Sequence, residues 1–274
     1  MARRRYLVTG GCGFIGSHVV DRLIADGAAV RVLDDLSTGV RANLNPAAEL
    51  VVGDVADRAT LRDALADVDG CFHLAAVASV ARCHDDAPAT HRVNLSATLS
   101  LFDLARPEAL DLPVVYASSA AVYGDNADLP LAETAATRPL SAYGADKLGC
   151  ELHARVAAHA HGLRAAGLRF FNVYGPRQDP RSPYSGVISI FLDRILRGGP
   201  IRIHGDGAQS RDFVAVADVV ALLVRAMAHL DTPAAAGGTA PVFNVCTGEA
   251  TSIRELADVL ARLAGRTPRI EHGP

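Results

Sequence analysis

The feature that most constrains the fold is a glycine-rich segment between a short apolar run and an amphipathic stretch. It reads Thr9-Gly-Gly-Cys-Gly-Phe-Ile-Gly16 and contains the spacing Gly10-x-x-Gly13-x-x-Gly16. A tight turn and a close approach of the backbone to a diphosphate both require residues without a Cβ atom. The start of a helix also offers N–H groups and a positive dipole to phosphates. The segment therefore predicts a strand–loop–helix unit that binds a dinucleotide.

Short apolar runs alternate with longer helical patterns over the first part of the chain. The apolar runs, which predict fully buried strands, lie at 6–9, 30–33, 50–52, 71–74 and 114–117. The helical patterns lie at about 15–26, 58–66, 88–106 and 142–161. Buried strands that alternate with helices are typical of a parallel sheet with helices on both faces. We predict an α/β fold, a doubly wound parallel Rossmann sheet with a smaller C-terminal α/β substrate-binding domain.

The character of the sequence changes after Tyr174, where a segment rich in proline and glycine extends to Gly186. Later elements are predicted as strands at 168–172, 201–204 and 243–245, and as helices at 187–197, 214–229 and 252–263, the last with a Ser/Thr cap. We predict a dinucleotide-binding domain over 1–175, to which the segments at about 213–247 return. A substrate domain is expected over 176–274.

Composition excludes several other classes of protein. The net charge of −3 argues against nucleic-acid or membrane-surface partners, and no apolar run reaches the roughly 18 residues that a membrane span needs. The five cysteines are odd in number and include no Cys-x-x-Cys pair, so neither disulfides nor a zinc site is indicated. The histidines show no metal-ligand spacing. We expect a cytoplasmic protein with reduced thiols and no metal.

Acidic and small residues follow the next predicted strands. Asp34 ends the second strand, where its carboxylate would bind adenosine ribose hydroxyls and repel a 2′-phosphate, which favours NAD over NADP. Asp54, before Val55, follows the third strand and could accept a hydrogen bond from the adenine amino group, although such a turn is also common at a strand end. His73-Leu-Ala-Ala76 leaves room for a cofactor, and we interpret His73 as a packed core histidine.

The chain contains a single lysine, Lys147, and it follows Tyr143 by four residues. Because arginine supplies every other side-chain cation of the Lys/Arg type, the surviving lysine indicates a role that a planar guanidinium cannot fill. A compact ammonium close to a phenol favours the phenolate, which can serve as a base. The Ser118-Ser119 pair lies at the end of the fifth strand and offers a hydroxyl at the edge where parallel sheets bind ligands. These residues predict a Ser–Tyr–Lys set: an orienting hydroxyl, a phenolic acid/base and a cation that tunes it.

With these residues in view, the chain resembles the extended short-chain dehydrogenase/reductase family, and within it the nucleotide-sugar 4-epimerases of the UDP-galactose 4-epimerase type. The resemblance extends over essentially the whole chain. It rests on the glycine segment and on ordered motifs at 33–39 (LDDLSTG), 53–55 (GDV), 73–76 (HLAA), 118–124 (SSAAVYG), 143–147 (YGADK), 169–177 (RFFNVYGPR) and 205–214 (GDGAQSRDFV).

The resemblance implies roles for individual residues. The catalytic residues are Ser119, Tyr143 and Lys147. The residues that line the cofactor NAD are Gly10, Gly13, Phe14, Ile15, Gly16, Asp34, Asp35, Ser37, Gly39, Asp54, Val55, Leu74, Ala75, Ala76, Asn94, Tyr143 and Lys147. The residues that bind a UDP-sugar are Ser119, Tyr143, Asn172, Val187, Ile203 and Arg211. The resemblance also implies a homodimer through the helices at 88–106 and 142–161, and a substrate domain that continues beyond residue 274.

The two residues after Ser119 separate the reactions that this family performs. Related 4,6-dehydratases resemble one another in an Asp-Glu pair there, glucuronate decarboxylases in a glutamate and 3,5-epimerising enzymes in a cysteine, whereas this chain has Ala120 and Ala121. Hydride transfer alone then remains. The resemblance implies reversible C4 epimerisation of UDP-glucose and UDP-galactose, or of N-acetylhexosamine counterparts, through a 4-keto intermediate.

Other readings of the chain stay open. A UDP-glucuronate 4-epimerase, or another extended enzyme that modifies nucleotide sugars, is one alternative, because Arg177 and Arg181 could hold a carboxylate. A non-catalytic regulator that binds NAD is a remoter one. Such a protein is expected to lose the tyrosine or the lysine first, and this chain keeps both.

Overall fold

The computed structural model describes residues 3–180, 186–232 and 238–273, so that Arg181 lies outside the described residues. Within them the chain forms two compact units. One comprises Met1–Phe170 and Ala217–Val245, and the other comprises Phe171–Val216 and Cys246–Pro274. The first unit is therefore assembled from two separate stretches of sequence.

Strands and helices alternate along the chain. The strands are β1 (Arg5–Thr9), β2 (Ala29–Asp34), β3 (Glu49–Val52), β4 (Gly70–His73), β5 (Val114–Ser119), β6 (Ala165–Phe170), β7 (Asn172–Tyr174), β8 (Ile201–His204), β9 (Ser210–Arg211), β10 (Phe213–Ala215), β11 (Val242–Val245), β12 (Thr251–Ser252) and β13 (Ile270–Gly273). The helices are α1 (Phe14–Ala25), α2 (Arg58–Ala64), α3 (Val80–Asp85), α4 (Ala87–His91), α5 (Ala97–Ala105), α6 (Ala142–His161), α7 (Val187–Leu196), α8 (Val216–Leu230) and α9 (Ile253–Ala264).

The first unit is built on a seven-stranded parallel sheet, with the strand order β11-β6-β5-β4-β1-β2-β3. This confirms the predicted doubly wound α/β fold. The order reverses between β1 and β4, and ligands of such sheets bind beyond the carboxyl ends of the strands at that point. The chain therefore places the glycine segment, which follows β1, at the binding edge of the sheet.

The central strands are buried because both faces of the sheet are covered. The core contains fully buried residues from the strands β1, β2, β4, β5 and β6, among them Leu7, Leu33, Cys71, Val114 and Ala165. Such strands read as continuous apolar runs, which is how the sequence revealed them.

Several helix boundaries follow from capping residues. Helix α6 starts after Ser141, whose side chain accepts a hydrogen bond from the amide of Gly144, and it ends at Gly162 in the left-handed conformation. Helix α9 carries a capping box between Ser252 and Glu255, which confirms the predicted Ser/Thr cap.

The structure corrects three element predictions. The strand predicted at 168–172 is β6, which ends at Phe170, and Asn172 begins β7. The helix predicted at 88–106 consists of α4 and α5 joined through a π-helical turn at Arg92–Ser96. The helix predicted from Val214 begins at Val216, because Phe213–Ala215 pairs with β7 as strand β10.

The second unit has its own small core. Strand β7 pairs with β10 and β8 with β13 in parallel, whereas β9 pairs with β12 in antiparallel fashion. Helices α7 and α9 cover this unit's apolar cluster, which contains Phe191, Ile195, Ile201, Ile203, Ile253, Leu256, Ala257 and Leu260.

Candidate active site

The glycine segment forms a cradle between the ends of β1 and β4. Gly10 has a positive φ of 70°, and its amide donates to the carbonyl of Leu33 at 2.9 Å. A Cβ atom on Gly10 would lie 2.8 Å from the amide nitrogen of Ala75, and one on Gly16 would lie 2.1 Å from the Gly10 carbonyl oxygen. Side chains are thus excluded on both sides of the loop, and helix α1 begins at Phe14 with its first amides at this edge. The cradle fits a dinucleotide diphosphate.

The Asp34 carboxylate organises the loop that follows β2. One oxygen accepts from the amide of Cys12 at 2.9 Å and the other from the amide of Leu36 at 2.8 Å. Burial raises the pKa of Asp34 above its ordinary value, although these amide hydrogen bonds lower it. A Cβ atom on Gly39 would lie 2.7 Å from the carboxylate, so the loop closes tightly over it. Asp34 therefore joins the glycine cradle to the region where ribose contacts are predicted.

Neighbouring predicted cofactor residues are held by local contacts. Asp35 is exposed and accepts hydrogen bonds from the amide and the hydroxyl of Ser37, at 2.9 and 2.6 Å. Asp54 accepts from the Ala56 amide at 2.8 Å and from the Arg92 guanidinium at 2.6 Å. An adenine amino group would therefore share the Asp54 carboxylate with Arg92.

Val55, which is predicted to lie along the cofactor, is 6 % exposed and belongs to the core of the first unit. Sequence reasoning identified Asp54 and Val55 but missed Arg92, which the sequence places in a helical pattern without any sign of its partner.

The segment after β4 is shaped by a chain of buried polar groups. The Thr9 hydroxyl oxygen accepts from the amides of Leu74 and Ala75, both at 3.1 Å. The same hydroxyl lies 2.8 Å from Nδ1 of His73, whose Nε2 lies 3.0 Å from the Thr98 hydroxyl. His73 is 3 % exposed, which confirms it as a packed core histidine. These contacts hold Leu74, Ala75 and Ala76 beside the glycine cradle.

Asn94 also acts on this segment. It is fully buried, and its side-chain amide both accepts from the Val77 amide at 2.8 Å and donates to the Val77 carbonyl at 3.2 Å. Its carboxamide therefore fixes the chain beyond Ala76. Its predicted place along the cofactor stays a prediction.

The two serines at the end of β5 have different environments. Ser118 is 1 % exposed, and its hydroxyl donates to the buried carboxylate of Glu151 at 2.5 Å. Ser119 is half-buried at the carboxyl edge, and its hydroxyl oxygen accepts from the amide of Ala121 at 3.1 Å. The Ser119 hydroxyl proton is thus left for another acceptor, whereas Ser118 is committed inside the protein. This difference favours Ser119 as the reacting hydroxyl.

Helix α6 carries both Tyr143 and Lys147. Lys147 is 3 % exposed, and its ammonium nitrogen lies 5.8 Å from the centre of the Tyr143 ring. A Cβ atom on Gly144 would lie 2.6 Å from the carbonyl oxygen of Ala121, so the start of the helix packs directly on the turn that follows Ser119. The structure therefore brings the predicted tyrosine and lysine together, and it fixes their helix against the serine turn.

Four of the predicted substrate residues, Asn172, Val187, Ile203 and Arg211, lie in the second unit, whereas Ser119 and Tyr143 lie in the first. The Asn172 side chain donates to the Asp212 carbonyl at 3.0 Å, and the Asp212 carboxylate accepts from the amides of Thr247 and Gly248. Arg211 is exposed, and its guanidinium donates to the Ser210 carbonyl at 2.7 Å. Val187 begins α7 and is half-buried.

Ile203, by contrast, is 1 % exposed within the apolar cluster of the second unit. This leaves little of its side chain for a ligand, and its predicted substrate contact stays a prediction.

Two charged residues near the site escaped sequence reasoning. Glu151 and Arg169 form a buried ion pair next to Ser118. The signals were present: Glu151 follows Lys147 by four residues, on one face of a helix, and Arg169 is a charged residue in an otherwise apolar strand.

Among the described residues, no group of three or more His, Cys, Asp or Glu residues could hold a metal ion. None of the described helices combines the length and the apolar character needed to cross a bilayer.

A glycine cradle at the switch point and a Tyr–Lys helix packed on a serine turn are features of Rossmann-fold enzymes that use a nicotinamide dinucleotide. Comparison with known proteins agrees. Residues 6–246 match the model of the "NAD dependent epimerase/dehydratase family". The UDP-glucose 4-epimerase of Mycolicibacterium smegmatis is 40 % identical over 277 residues, covering 98 % of this chain and 86 % of the relative.

Solved structures give the same result. The UDP-glucose 4-epimerase of Thermus thermophilus, solved with NAD, is 36 % identical with a TM-score of 0.87, covering 97 % of this chain and 85 % of that one. The UDP-N-acetylglucosamine 4-epimerase of Methanobrevibacter ruminantium, in complex with UDP-N-acetylmuramic acid, is 36 % identical with a TM-score of 0.91, covering 100 % and 86 %. The chain belongs to the NAD dependent epimerase/dehydratase family, and NAD is its cofactor.

Proposed function

We propose that this enzyme catalyses the reversible epimerisation at C4 of a UDP-hexose. The observation that carries the proposal is the turn after Ser119. The serine of the Ser–Tyr–Lys set is followed there by Ala120 and Ala121. Neither alanine can donate or remove a proton, so elimination and epimerisation through a carbanion lack their catalyst at this position. Similarity to relatives named UDP-glucose 4-epimerase and UDP-N-acetylglucosamine 4-epimerase supports the same reaction class.

In the proposed mechanism Tyr143 acts as the acid/base. Its phenolate, stabilised by the Lys147 ammonium, removes the proton of the sugar 4-hydroxyl, and Ser119 orients that hydroxyl by hydrogen bonding. The glycine cradle and the residues after β2, β3 and β4 would hold NAD, which would supply a reversible hydride acceptor for C4. After the sugar has turned over, the hydride would return to the opposite face of C4 and the phenol would return the proton to the oxygen, so that no net oxidation occurs. The small side chains of Ala120 and Ala121 leave room for that rotation.

We further propose that Asn172 and Arg211 bind the diphosphate of the substrate, and that Val187 and Ile203 lie near its base and sugar. Arg211 is exposed and can offer charge-assisted hydrogen bonds to phosphate oxygens. Arg211→Gln is expected to raise the KM for the UDP-sugar while kcat changes little. An unchanged KM would remove Arg211 from the site.

The test of the reaction is interconversion of UDP-glucose and UDP-galactose by purified protein, with UDP-N-acetylglucosamine and UDP-glucuronate assayed in parallel. Tyr143→Phe is expected to lower kcat by about 100- to 10,000-fold. Tyr116→Phe is the matched control, because it removes a phenolic hydroxyl that is buried on β5. Protein that retains NAD but converts none of these sugars would refute the proposal and favour a regulator. Full activity of Tyr143→Phe would remove Tyr143 from the mechanism.

We propose a homodimer that uses helix α6. Leu152 and Val156 lie one helical turn apart, and 45 % and 60 % of their surfaces are exposed. Apolar side chains exposed in adjacent turns of a long helix are suited to pack on the same helix of a second copy. Light scattering on the wild-type protein should give the mass of a dimer, and Val156→Glu should give a monomer. A monomeric wild-type protein would contradict the proposal.

We also propose a cytoplasmic location. None of the five cysteines, all of which lie in the described part of the chain, forms a disulfide, and Cys12, Cys71, Cys83 and Cys150 are buried. Free thiols persist in a reducing compartment, where the sugar nucleotides of central metabolism and NAD are also found. Cell fractionation with antibodies against the protein tests this, and recovery from an extracytoplasmic fraction would contradict it.

A further inference from the structure

A buried ion pair lies directly behind the Ser–Tyr–Lys set. Arg169 on β6 donates from Nε to one carboxylate oxygen of Glu151 at 2.9 Å and from Nη2 to the other at 2.7 Å. Each residue is 6 % exposed. Removing two charges from water costs free energy that their attraction often fails to recover, so a buried pair is weak evidence for a stabilising role. Its contacts indicate what else it does.

The Glu151 carboxylate of the pair joins the two elements that carry the proposed catalytic residues, β5 and α6. Glu151 lies on α6, one turn beyond Lys147 and two turns beyond Tyr143. The Ser118 hydroxyl, adjacent to Ser119 in the chain, donates to the same Glu151 oxygen that accepts from Arg169 Nε. The carboxylate therefore fixes the end of β5 relative to the catalytic helix.

The other edge of the guanidinium is also held. Arg169 Nη1 donates to the Tyr123 hydroxyl at 2.7 Å and to the Glu133 carbonyl at 3.1 Å, and the guanidinium carbon lies 4.7 Å from the centre of the Tyr123 ring. Tyr123 in turn donates to the side-chain oxygen of Asn244 at 2.6 Å. Burial alone would lower the pKa of Arg169, but its hydrogen bonds to Glu151 and Tyr123 more than offset this, and Arg169 stays charged.

The charges around Lys147 are therefore balanced in a specific way. His73 from β4 is neutral, because burial and the nearby Lys147 lower its pKa to about 3. Burial raises the pKa values of Cys150 on α6 and Tyr116 on β5, so both are neutral as well. Asp146 is bonded to His91 at 2.7 Å. With Glu151 and Arg169 cancelling each other, Lys147 is left to stabilise a Tyr143 phenolate.

We propose that Glu151 and Arg169 are positioning residues for catalysis, which hold Ser119 and Tyr143 in register and keep the region behind Lys147 electrically neutral. The inference rests on the proposed role of Tyr143 as the acid/base. It predicts that each partner, removed singly, changes the field at Tyr143 with a definite sign.

The experiment compares Glu151→Gln, Arg169→Gln and the double variant. Eight helical residues separate Tyr143 from Glu151, about 12 Å along the axis, and one charge at that distance shifts an ionisation by about one pH unit at an effective dielectric constant of about 20. Glu151→Gln leaves a buried cation, so the pH below which kcat falls should move down by about one. Arg169→Gln leaves a buried anion, so the pH below which kcat falls should move up by about one unit. The double variant should return to the wild-type value.

The readout is the pH profile of kcat together with the nicotinamide absorbance when substrate reduces the bound cofactor in a single turnover. Arg31→Gln is the matched control, since Arg31 is an ion-paired strand arginine of the first unit whose Nε lies 3.0 Å from a carboxylate oxygen of Glu49, and it should leave the profile unchanged. His91→Gln is run alongside, because it removes the imidazole that lies 2.7 Å from the Asp146 carboxylate, and it should leave the opposite signs of the two shifts unchanged. A wild-type enzyme that converts no UDP-sugar refutes the proposed function instead, so the two failures are distinguishable.

Shifts of the same sign in both single variants, or no shift in either, would overturn the inference, because a purely structural pair has no reason to move the profile in opposite directions. If a single charge variant does not fold, Ser118→Ala decides. It removes only the hydroxyl that donates to Glu151 and should lower kcat about tenfold at unchanged KM and unchanged NAD content. An unchanged kcat would overturn the inference.

Discussion

The His73 imidazole should make the protein sensitive to acid in a way that its geometry fixes. The Thr9 hydroxyl oxygen already accepts two amide hydrogen bonds, from Leu74 and Ala75, so its own proton must point to Nδ1 of His73. The Thr98 hydroxyl donates to the Asn94 carbonyl at 2.9 Å and is therefore left to accept from Nε2. Both ring nitrogens are thus satisfied only in the neutral imidazole, since a protonated ring would have to donate from Nδ1 as well.

The size of the stability change follows from the shift in the pKa of His73. Burial and Lys147 lower the pKa of His73 from 6.5 to about 3. The unfolded chain binds a proton as the pH falls through 6.5, whereas the folded protein does not, so stability is present in full above that pH and is lost as the pH falls from 6.5 toward 3. The loss reaches about 2 kcal/mol at pH 5 and about 4 kcal/mol at pH 3.

Urea unfolding of the wild type and of His73→Asn, at pH 8 and pH 5, measures this contribution. The asparagine does not titrate, so the wild type should lose about 2 kcal/mol more than the variant between the two pH values, or roughly 0.7 M in midpoint for a slope of about 3 kcal/mol/M. His153→Asn on the exposed face of α6 is the control and should behave as the wild type. An equal loss in wild type and His73→Asn would refute the reasoning, as would an NMR titration of His73 near pH 6.5 in the folded protein.

Three further predictions concern the cradle and the packing. Gly16→Ala places a Cβ atom 2.1 Å from the Gly10 carbonyl oxygen, so NAD affinity by calorimetry should fall roughly 100-fold, whereas the control Gly199→Ala, where the nearest atom lies at 3.6 Å, should keep it. Ser252→Ala removes the capping box of α9 and should cost about 1 kcal/mol in thermal or urea unfolding; an unchanged midpoint would contradict the cap's role. The Tyr116 hydroxyl is buried and finds no hydrogen-bond partner among the described residues, so Tyr116→Phe should stabilise the protein by about 1 kcal/mol, and a destabilised variant would contradict this.

The parts of the fold that sequence predicted well are those with local signals. Helix α6 runs over Ala142–His161, as predicted, because Ser141 is a strong N-cap residue and Gly162 a strong C-cap residue. The buried strands of the first unit show as apolar runs, and the glycine spacing located the cradle at the switch point. Each of these features is indicated by a segment of about twenty residues or fewer.

The boundaries that sequence reasoning missed depend on distant partners. Strand β6 starts at Ala165, earlier than predicted, because Ala165, Ala166 and Gly167 carry little apolar signal of their own. A Cβ atom on Gly167 would lie 2.6 Å from the Tyr116 hydroxyl, so the neighbouring strand rather than local sequence requires glycine there. Strand β10 likewise exists only because β7 lies beside it.

The features of the candidate site also differ in whether they depend on local sequence or on distant partners. Tyr143 and Lys147 follow from spacing on one helix, and the structure brings them together. The different states of Ser118 and Ser119 could not be foreseen, because they depend on a carboxylate far along the chain at Glu151. Asp34 and Asn94 were predicted beside the cofactor, yet their polar atoms are engaged in shaping the backbone around it. The sequence predicted where these residues lie more readily than which groups their side chains contact.

The return of β11 to the edge of β6 has a consequence for synthesis on the ribosome. Strand β6 is complete once Phe170 has emerged, but its neighbour Val242–Val245 follows only after most of the second unit has been translated. During that interval the nascent chain presents an open strand edge, which other chains can extend. The Tyr123 hydroxyl also lacks Asn244 until then. A chaperone that shields this edge until residue 245 emerges would therefore raise the yield of folded enzyme.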